Sequence, residues 1–261
     1  MNRVEEKFKQ LKSKSQKALV AFITAGYPDL GTTEELVQEL ERRGVDLIEI
    51  GVPFSDPLAD GPVIQEASVF ALKRGVNLVK ILAAVKKIRA KVSLPICLMS
   101  YYNPIFCFGD KKFIDQALAS GVDGVIIPDL PLEEAGEFTK YAHKKGLVNI
   151  CFLAPTSTLA RIKKIAKVAR GFIYYVSLTG VTGGRERLAK DLKIKLAKIK
   201  QNTALPICVG FGISSPQQAG AVCKMSEGVI IGSVIVKKIK ENLNAVNLVS
   251  KIGAFVERFN V

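Results

Sequence analysis

Eight short runs of branched apolar residues recur along the chain, each followed by a segment with helical spacing, and this alternation constrains the fold more than any other feature. The strand-like runs are Ala18 to Thr24, Leu47 to Gly51, Pro95 to Tyr101, Gly124 to Pro128, Val148 to Leu153, Phe172 to Ser177, Pro206 to Phe211 and Gly228 to Gly232. The amphipathic segments include Thr32 to Arg43, Leu78 to Lys91, Lys111 to Ala119, Leu132 to Lys145, Leu159 to Ala169, Leu188 to Lys200, Pro216 to Lys224 and Ser233 to Lys240. Eight such units predict an α/β fold: one closed (β/α)₈ TIM barrel over residues 1–261, with an extra N-terminal helix. Two echoes support a repeated unit: Arg43 to Gly51 is similar to Ser120 to Pro128, and Leu94-Pro-Ile-Cys97 recurs as Leu205-Pro-Ile-Cys208. An open doubly wound sheet shares the alternation but fits less well. Its glycine fingerprint is missing, and the first turn reads Thr24-Ala-Gly-Tyr-Pro-Asp29.

Composition narrows the function classes. At 48% hydrophobic residues the chain can bury a large core, and no apolar run reaches the roughly 18 residues of a membrane span. The N-terminal segment lacks an apolar stretch of the leader type and carries Glu5 and Glu6, so a soluble cytoplasmic protein is expected. Cys97, Cys107, Cys151, Cys208 and Cys223 are scattered, form no C-x-x-C pair, and are expected as reduced core thiols. A net charge of +14 raises the question of nucleic acid, but the lysines and arginines sit in helical segments with no recognition motif. They read as solvated faces, and their field would also attract an anionic substrate.

Ile48-Glu-Ile-Gly-Val-Pro-Phe-Ser-Asp-Pro-Leu-Ala-Asp-Gly61 leaves the second strand with three acids and no base. In a barrel, the loops after the strands build the active site. Alternation sends Ile48 and Ile50 toward the helices and Glu49 into the barrel, where apolar neighbours such as Phe22 and Leu98 would hold its proton near neutral pH. That suits a general acid/base, although a buried Glu paired with a lysine would read the same way. Asp60 lies on a loop stiffened by Pro53 and Pro57; it is either functional or a turn residue before the helix starting at Gly61-Pro62.

Three glycine-bearing loops follow the later strands: Ser177 to Glu186, Gly210-Phe-Gly-Ile-Ser-Ser215, and Gly232-Ser233. The last two occupy the position where barrels bind phosphate through bare backbone N–H groups and a helix N-terminus. Each could also be an ordinary tight turn. His143, the single histidine, is expected on a solvated helix face, so serine–histidine chemistry and histidine metal sites find no support.

With these residues in view, Leu47 to Pro62 resembles the signature of the tryptophan synthase alpha subunit family. Supporting stretches are Phe22-Ile-Thr-Ala-Gly-Tyr-Pro28, Met99-Ser-Tyr-Tyr-Asn-Pro104, Pro128-Asp-Leu-Pro131, Tyr174-Tyr-Val-Ser177, Gly180-Val-Thr-Gly183 and Gly210-Phe-Gly-Ile-Ser214. The resemblance implies cofactor-free, metal-free retro-aldol cleavage of indole-3-glycerol phosphate to indole and glyceraldehyde 3-phosphate. By that mapping Glu49 is the general acid/base, Asp60 holds the indole N–H, and Tyr174 supports the glutamate. Phe22, Met99, Ile126 and Leu153 would wall the indole pocket. Thr182, Gly183, Gly212, Gly232 and Ser233 would bind phosphate. Asp56, Pro57, Asn103, Pro104 and Phe106 would meet the beta subunit in a heterotetramer of two alpha and two beta subunits, with no nucleic acid or membrane partner. Met99-Ser100 departs from the two large apolar residues found there in some members. Rival readings are another phosphate-binding barrel enzyme, an idle regulatory subunit, and a stand-alone indole-3-glycerol-phosphate lyase.

Overall fold

A computed structural model of the chain describes residues 2–176, 185–210 and 212–260, with the backbone alone for residues 185–190. Eight parallel strands close into a barrel in sequence order: β1 (Ala18–Thr24), β2 (Leu47–Gly51), β3 (Ile96–Met99), β4 (Gly124–Ile126), β5 (Val148–Leu153), β6 (Ile173–Val176), β7 (Ile207–Gly210) and β8 (Gly228–Ile231). Strand β1 pairs with both β2 and β8, which leaves no free sheet edge. The predicted runs for β1, β2 and β5 match residue for residue. Strands β3, β4 and β8 end one or two residues earlier than expected, because Ser100-Tyr101, Ile127-Pro128 and Gly232 leave the ladder to start loops, and β3, β6 and β7 each begin one residue later.

Twelve helices lie among the described residues: α1 (Arg3–Ser13), α2 (Leu30–Arg42), α3 (Pro62–Lys73), α4 (Leu78–Arg89), α5 (Tyr102–Phe108), α6 (Asp110–Ser120), α7 (Gly136–Lys145), α8 (Leu159–Val168), α9 (Arg185–Lys200), α10 (Pro216–Cys223), α11 (Ser233–Lys240) and α12 (Leu248–Glu257). None of them is long and apolar enough to cross a membrane. Helices α5 and α12 were not anticipated. Helix α7 starts at Gly136 and not at Leu132, because residues after Pro131 first form a turn in which Glu134 and Ala135 donate to the Pro131 carbonyl.

The two-residue period of the strands sorts the core into layers. Val20, Leu47, Cys97, Ile126, Ile150, Tyr174, Cys208 and Ile230 fill the barrel. Ile48, Ile50, Ile96, Leu98 and Val125 pack outward against helices, and Leu153, Ile173, Tyr175 and Val209 form a second outer cluster with Ile162 and Ile165 of α8. Leu98 therefore does not ring Glu49; its neighbours Cys97 and Met99 face inward instead.

Helix α1 plugs the end of the barrel where the strands begin. Its Val4, Phe8 and Leu11 join the interior cluster. Asn2 and Glu5 form a capping box, and Asn2 Nδ2 donates to the carbonyls of Asp123 and Gly146. Asp123, buried at the start of β4, receives Arg3 at 2.9 Å and Arg89 at 2.7 Å. With that end sealed, the site must open where the strands finish.

The cysteine expectation holds in part. Cys97, Cys208 and Cys223 are buried, whereas Cys151 is half-buried and Cys107, on the short helix α5, is exposed.

Candidate active site

Glu49 sits in the interior layer of β2, level with Phe22 on β1 and Cys97 on β3. It is 0% exposed, and neither carboxylate oxygen has a hydrogen-bond partner. Among the described residues no lysine reaches it, which speaks against the buried ion-pair reading. Desolvation pushes its pKa up to about 8, so at neutral pH the group holds a proton.

Tyr174, on β6, enters the same interior. Burial raises its phenol well above the ordinary value, and the Glu49 charge adds to the rise, which marks the two as electrostatic neighbours. They do not hydrogen-bond here, since both Glu49 oxygens are unpartnered.

Asp60 ends the loop after β2. Its N–H donates to the Pro57 carbonyl at 3.0 Å, and Gln65 Nε2 donates to its carbonyl at 2.9 Å. The Tyr101 hydroxyl accepts the Ala59 N–H at 2.8 Å and faces the Asp60 carboxylate, favouring its ionised form. Half-burial raises the Asp60 pKa to about 6, with the Tyr101 hydroxyl working the other way. Two carboxyl groups at one mouth thus differ in protonation at pH 7, Glu49 neutral and Asp60 ionised, because one is fully desolvated and the other is not.

Asp60 and Tyr174 line one cavity of about 80 Å³ together with Phe22, Met99, Gly212, Gly232 and Ser233. The cavity brings an apolar wall, an anion and the glycine loops into one place. Ser233 opens α11, whose N-terminus offers free backbone N–H groups there, and Gly232 precedes it with no side-chain cap. Gly212 holds φ +76°, a left-handed conformation that favours glycine. Thr182 and Gly183 lie outside the described residues.

Ile126 faces the interior, but Leu153 is corrected: it points outward into the cluster with α8. The preceding residue, Phe152, takes the inner place, with its ring 4.7 Å from that of Tyr174. One residue along a strand reverses the face, and a family mapping without the register missed it. Tyr101 was also missed. It lies in the Met99–Pro104 segment after β3, and only the folded chain brings it to Asp60.

Around the mouth, Asp56 and Asn103 are exposed, Pro57 and Pro104 half-buried, and Phe106 is 65% exposed. Leu58, on the Asp60 loop, is 93% exposed. His143 lies on α7 beside Asn2 and Arg170, at the sealed end. It is half-buried, not solvated; its Nε2 is buried without a partner, and desolvation lowers its pKa.

The sequence profile of the family described as "Tryptophan synthase alpha chain" matches residues 8–260. The tryptophan synthase alpha chain of Geotalea daltonii is 51% identical over 256 residues, covering 98% of this chain and 97% of the relative. That of Thermoanaerobacter pseudethanolicus is 44% identical, with coverage of 98% and 97%. Among solved structures, tryptophan synthase subunit alpha from Legionella pneumophila superposes with a TM-score of 0.93 at 36% identity, covering 99% of this chain and 97% of that one. An aminoacrylate-bound tryptophan synthase from M. tuberculosis gives a TM-score of 0.88 at 29% identity, covering 99% and 98%.

Proposed function

The chain belongs to the tryptophan synthase alpha chain family, and from that premise we propose that it cleaves indole-3-glycerol phosphate to indole and glyceraldehyde 3-phosphate. The observation that carries the residue roles is the split between the two carboxyl groups, a protonated Glu49 inside the barrel and an ionised Asp60 at its mouth.

In this reading the substrate's indole lies against Phe22, Met99, Ile126 and Phe152, and its phosphate meets Gly212, Gly232 and the start of α11. Neutral Glu49 gives its proton to the ring carbon that bears the glycerol chain. The ring nitrogen then carries the developing positive charge, and the Asp60 carboxylate accepts its N–H and stabilises it. The carbon–carbon bond breaks, its electron pair restores the aromatic ring, and the adjacent hydroxyl becomes the aldehyde as its proton passes to the Glu49 carboxylate. Glu49 ends protonated, as it began. Protons and electrons balance within the substrate and one side chain, so the step calls for no cofactor. The acid works because it is dry: in water a glutamic acid would already have lost the proton at neutral pH.

Indole is uncharged and apolar, and we propose a beta subunit of tryptophan synthase as the partner that receives it. The exposed Leu58 and Phe106, with Asp56, Pro57, Asn103 and Pro104, form the proposed docking rim at the same mouth. The cytoplasm is the proposed compartment, which suits five unpaired cysteines. The deciding experiment follows indole release from indole-3-glycerol phosphate, with and without a beta subunit. Release that rises in the complex supports the proposal. Equal release without the partner favours a stand-alone lyase, and no release under either condition overturns the assignment.

A further inference from the structure

Thr24 ends the inward row of β1, one step beyond Phe22. It is only 2% exposed, yet its Oγ1 has no hydrogen-bond partner. Buried hydroxyls are rarely left unpaired, and a valine would fill the same volume without that cost, so the hydroxyl calls for a partner in some working state of the protein.

The surroundings indicate which partner. Thr24 lines a cavity of about 10 Å³ next to the substrate cavity, shared with Asp60, Ser68, Ser100 and Tyr101. Such a space admits one water-sized group at most. Ser100 Oγ is committed to the Tyr101 carbonyl at 2.9 Å, and the Tyr101 hydroxyl accepts the Ala59 N–H at 2.8 Å and faces Asp60. A carboxylate accepts up to about four hydrogen bonds, so Asp60 has capacity left. The titratable groups that feel its charge are Tyr101, just beyond β3, and Tyr174 from β6, and no lysine or arginine among the described residues pairs with it. In the absence of a cation, neutral donors are what can aim this anion.

We propose that Thr24 is a positioning residue for Asp60: its hydroxyl donates to the carboxylate when bound substrate draws the 52–61 loop inward. Thr24 and Tyr101 then hold the anion from two sides and direct it at the ring N–H. The proposal rests on the retro-aldol reading above, in which Asp60 must be ionised and aimed.

The test uses the complex with a beta subunit and measures indole release across pH for the parent, Thr24→Val and Thr24→Ser. Valine keeps the volume and removes the donor; serine keeps the donor. Thr24→Val is expected to lose about tenfold or more in kcat with KM little changed. The acid limb, near pH 6 in the parent, should move to higher pH, because the ionised form of Asp60 has lost a donor. Thr24→Ser should stay close to the parent on both counts, and thermal unfolding of Thr24→Val should be no lower than that of the parent. A Thr24→Val complex with the parent's kcat and acid limb overturns the proposal, as does a Thr24→Ser complex as impaired as the valine variant. If the parent complex itself releases no indole, the lyase reading falls and takes this proposal with it, which is a different result from an unaffected Thr24→Val in a working complex.

Discussion

The hydroxyl end of Tyr174 lies so close over Gly210 that a Cβ added to the glycine would stand 2.7 Å from both its Cε1 and its Oη. Tyr174 in turn packs on Phe152, with ring centroids 4.7 Å apart and the planes tilted by 44°. A glycine at the end of β7 and two aromatic rings from β5 and β6 thus form one packed unit beside Glu49.

Gly210→Ala is therefore expected to displace the Tyr174 ring toward the substrate cavity. Overpacking of this kind typically costs about 1–3 kcal/mol. Turnover should fall more than stability, because the ring lines the cavity itself. Indole release and the urea midpoint of the same variant check this, and a variant with parental turnover would show that the ring has room to give.

Glu49→Gln should abolish cleavage, since the amide has no proton to donate; loss of general acid/base catalysis costs about 10² to 10⁴ in rate. The same change alters the pH dependence of stability. The folded pKa of Glu49 is about 8, against 4.5 for an ordinary glutamate, so between those values the folded chain holds a proton that the unfolded chain releases. Stability from this source is fully present below about pH 4.5 and is lost as pH rises to about 8, at about 1.4 kcal/mol per tenfold difference in proton affinity. Denaturation midpoints of the parent should fall across this window relative to those of Glu49→Gln. Parallel curves for the two proteins would mean that Glu49 is ionised in the folded state.

The same pair sets the activity profile. Cleavage needs Asp60 ionised and Glu49 protonated, so kcat/KM should be bell-shaped, with limbs near pH 6 and pH 8. Asp60→Asn should be severely impaired, and what activity remains should lack the acid limb. An unshifted acid limb in Asp60→Asn would assign that limb to another group.

These roles were only partly legible in the sequence. The face of Glu49 followed from alternation because β2 is a clean run of known length. The same logic failed at Leu98, since β3 is apolar on both faces and hydrophobicity does not say which residue looks inward, and the family mapping that put Leu153 in the pocket carried no register. Helix α5 has only seven residues, too few for a periodic signal, and α12 follows the last strand, where the repeat no longer demands a helix. The Tyr101 contact with Asp60 joins residues 41 positions apart, and no local pattern encodes it. The N-terminal helix was expected, but its Asn2–Glu5 capping box and its place as the plug of the barrel emerge only from the folded chain.

Gly232→Val should weaken binding of glycerol phosphate by about tenfold or more. A Cβ at Gly232 would already stand 3.1 Å from Phe22 Cβ, so the larger side chain must push either into the indole wall or toward the N-terminus of α11. Both directions damage the cavity that Gly232 and Phe22 share. Calorimetric titration gives the affinity, and a value equal to the parent's would move the phosphate away from this loop.

The last expectation concerns the rim. Leu58 is 93% and Phe106 65% exposed, and both follow strand ends at the mouth that holds Asp60. Isolated apolar side chains are common on surfaces, but two large ones beside a cavity form the core of a docking patch once a partner covers them. Neither lines the substrate cavity, so their removal should separate association from chemistry. Leu58→Asp with Phe106→Asp should weaken complex formation with a beta subunit by about tenfold or more, since each change buries a carboxylate in an apolar contact. The slow turnover of the isolated chain should be unchanged, and the rise in turnover on adding the partner should be recovered at higher partner concentration. That recovery is the critical reading: a partner that binds the closed loop better shifts its population by that difference in affinity alone, so a weaker complex still activates when saturated. Parental affinity in the double variant would place the interface elsewhere on the barrel, and a saturated complex that fails to activate would mean that these side chains act on the loop itself.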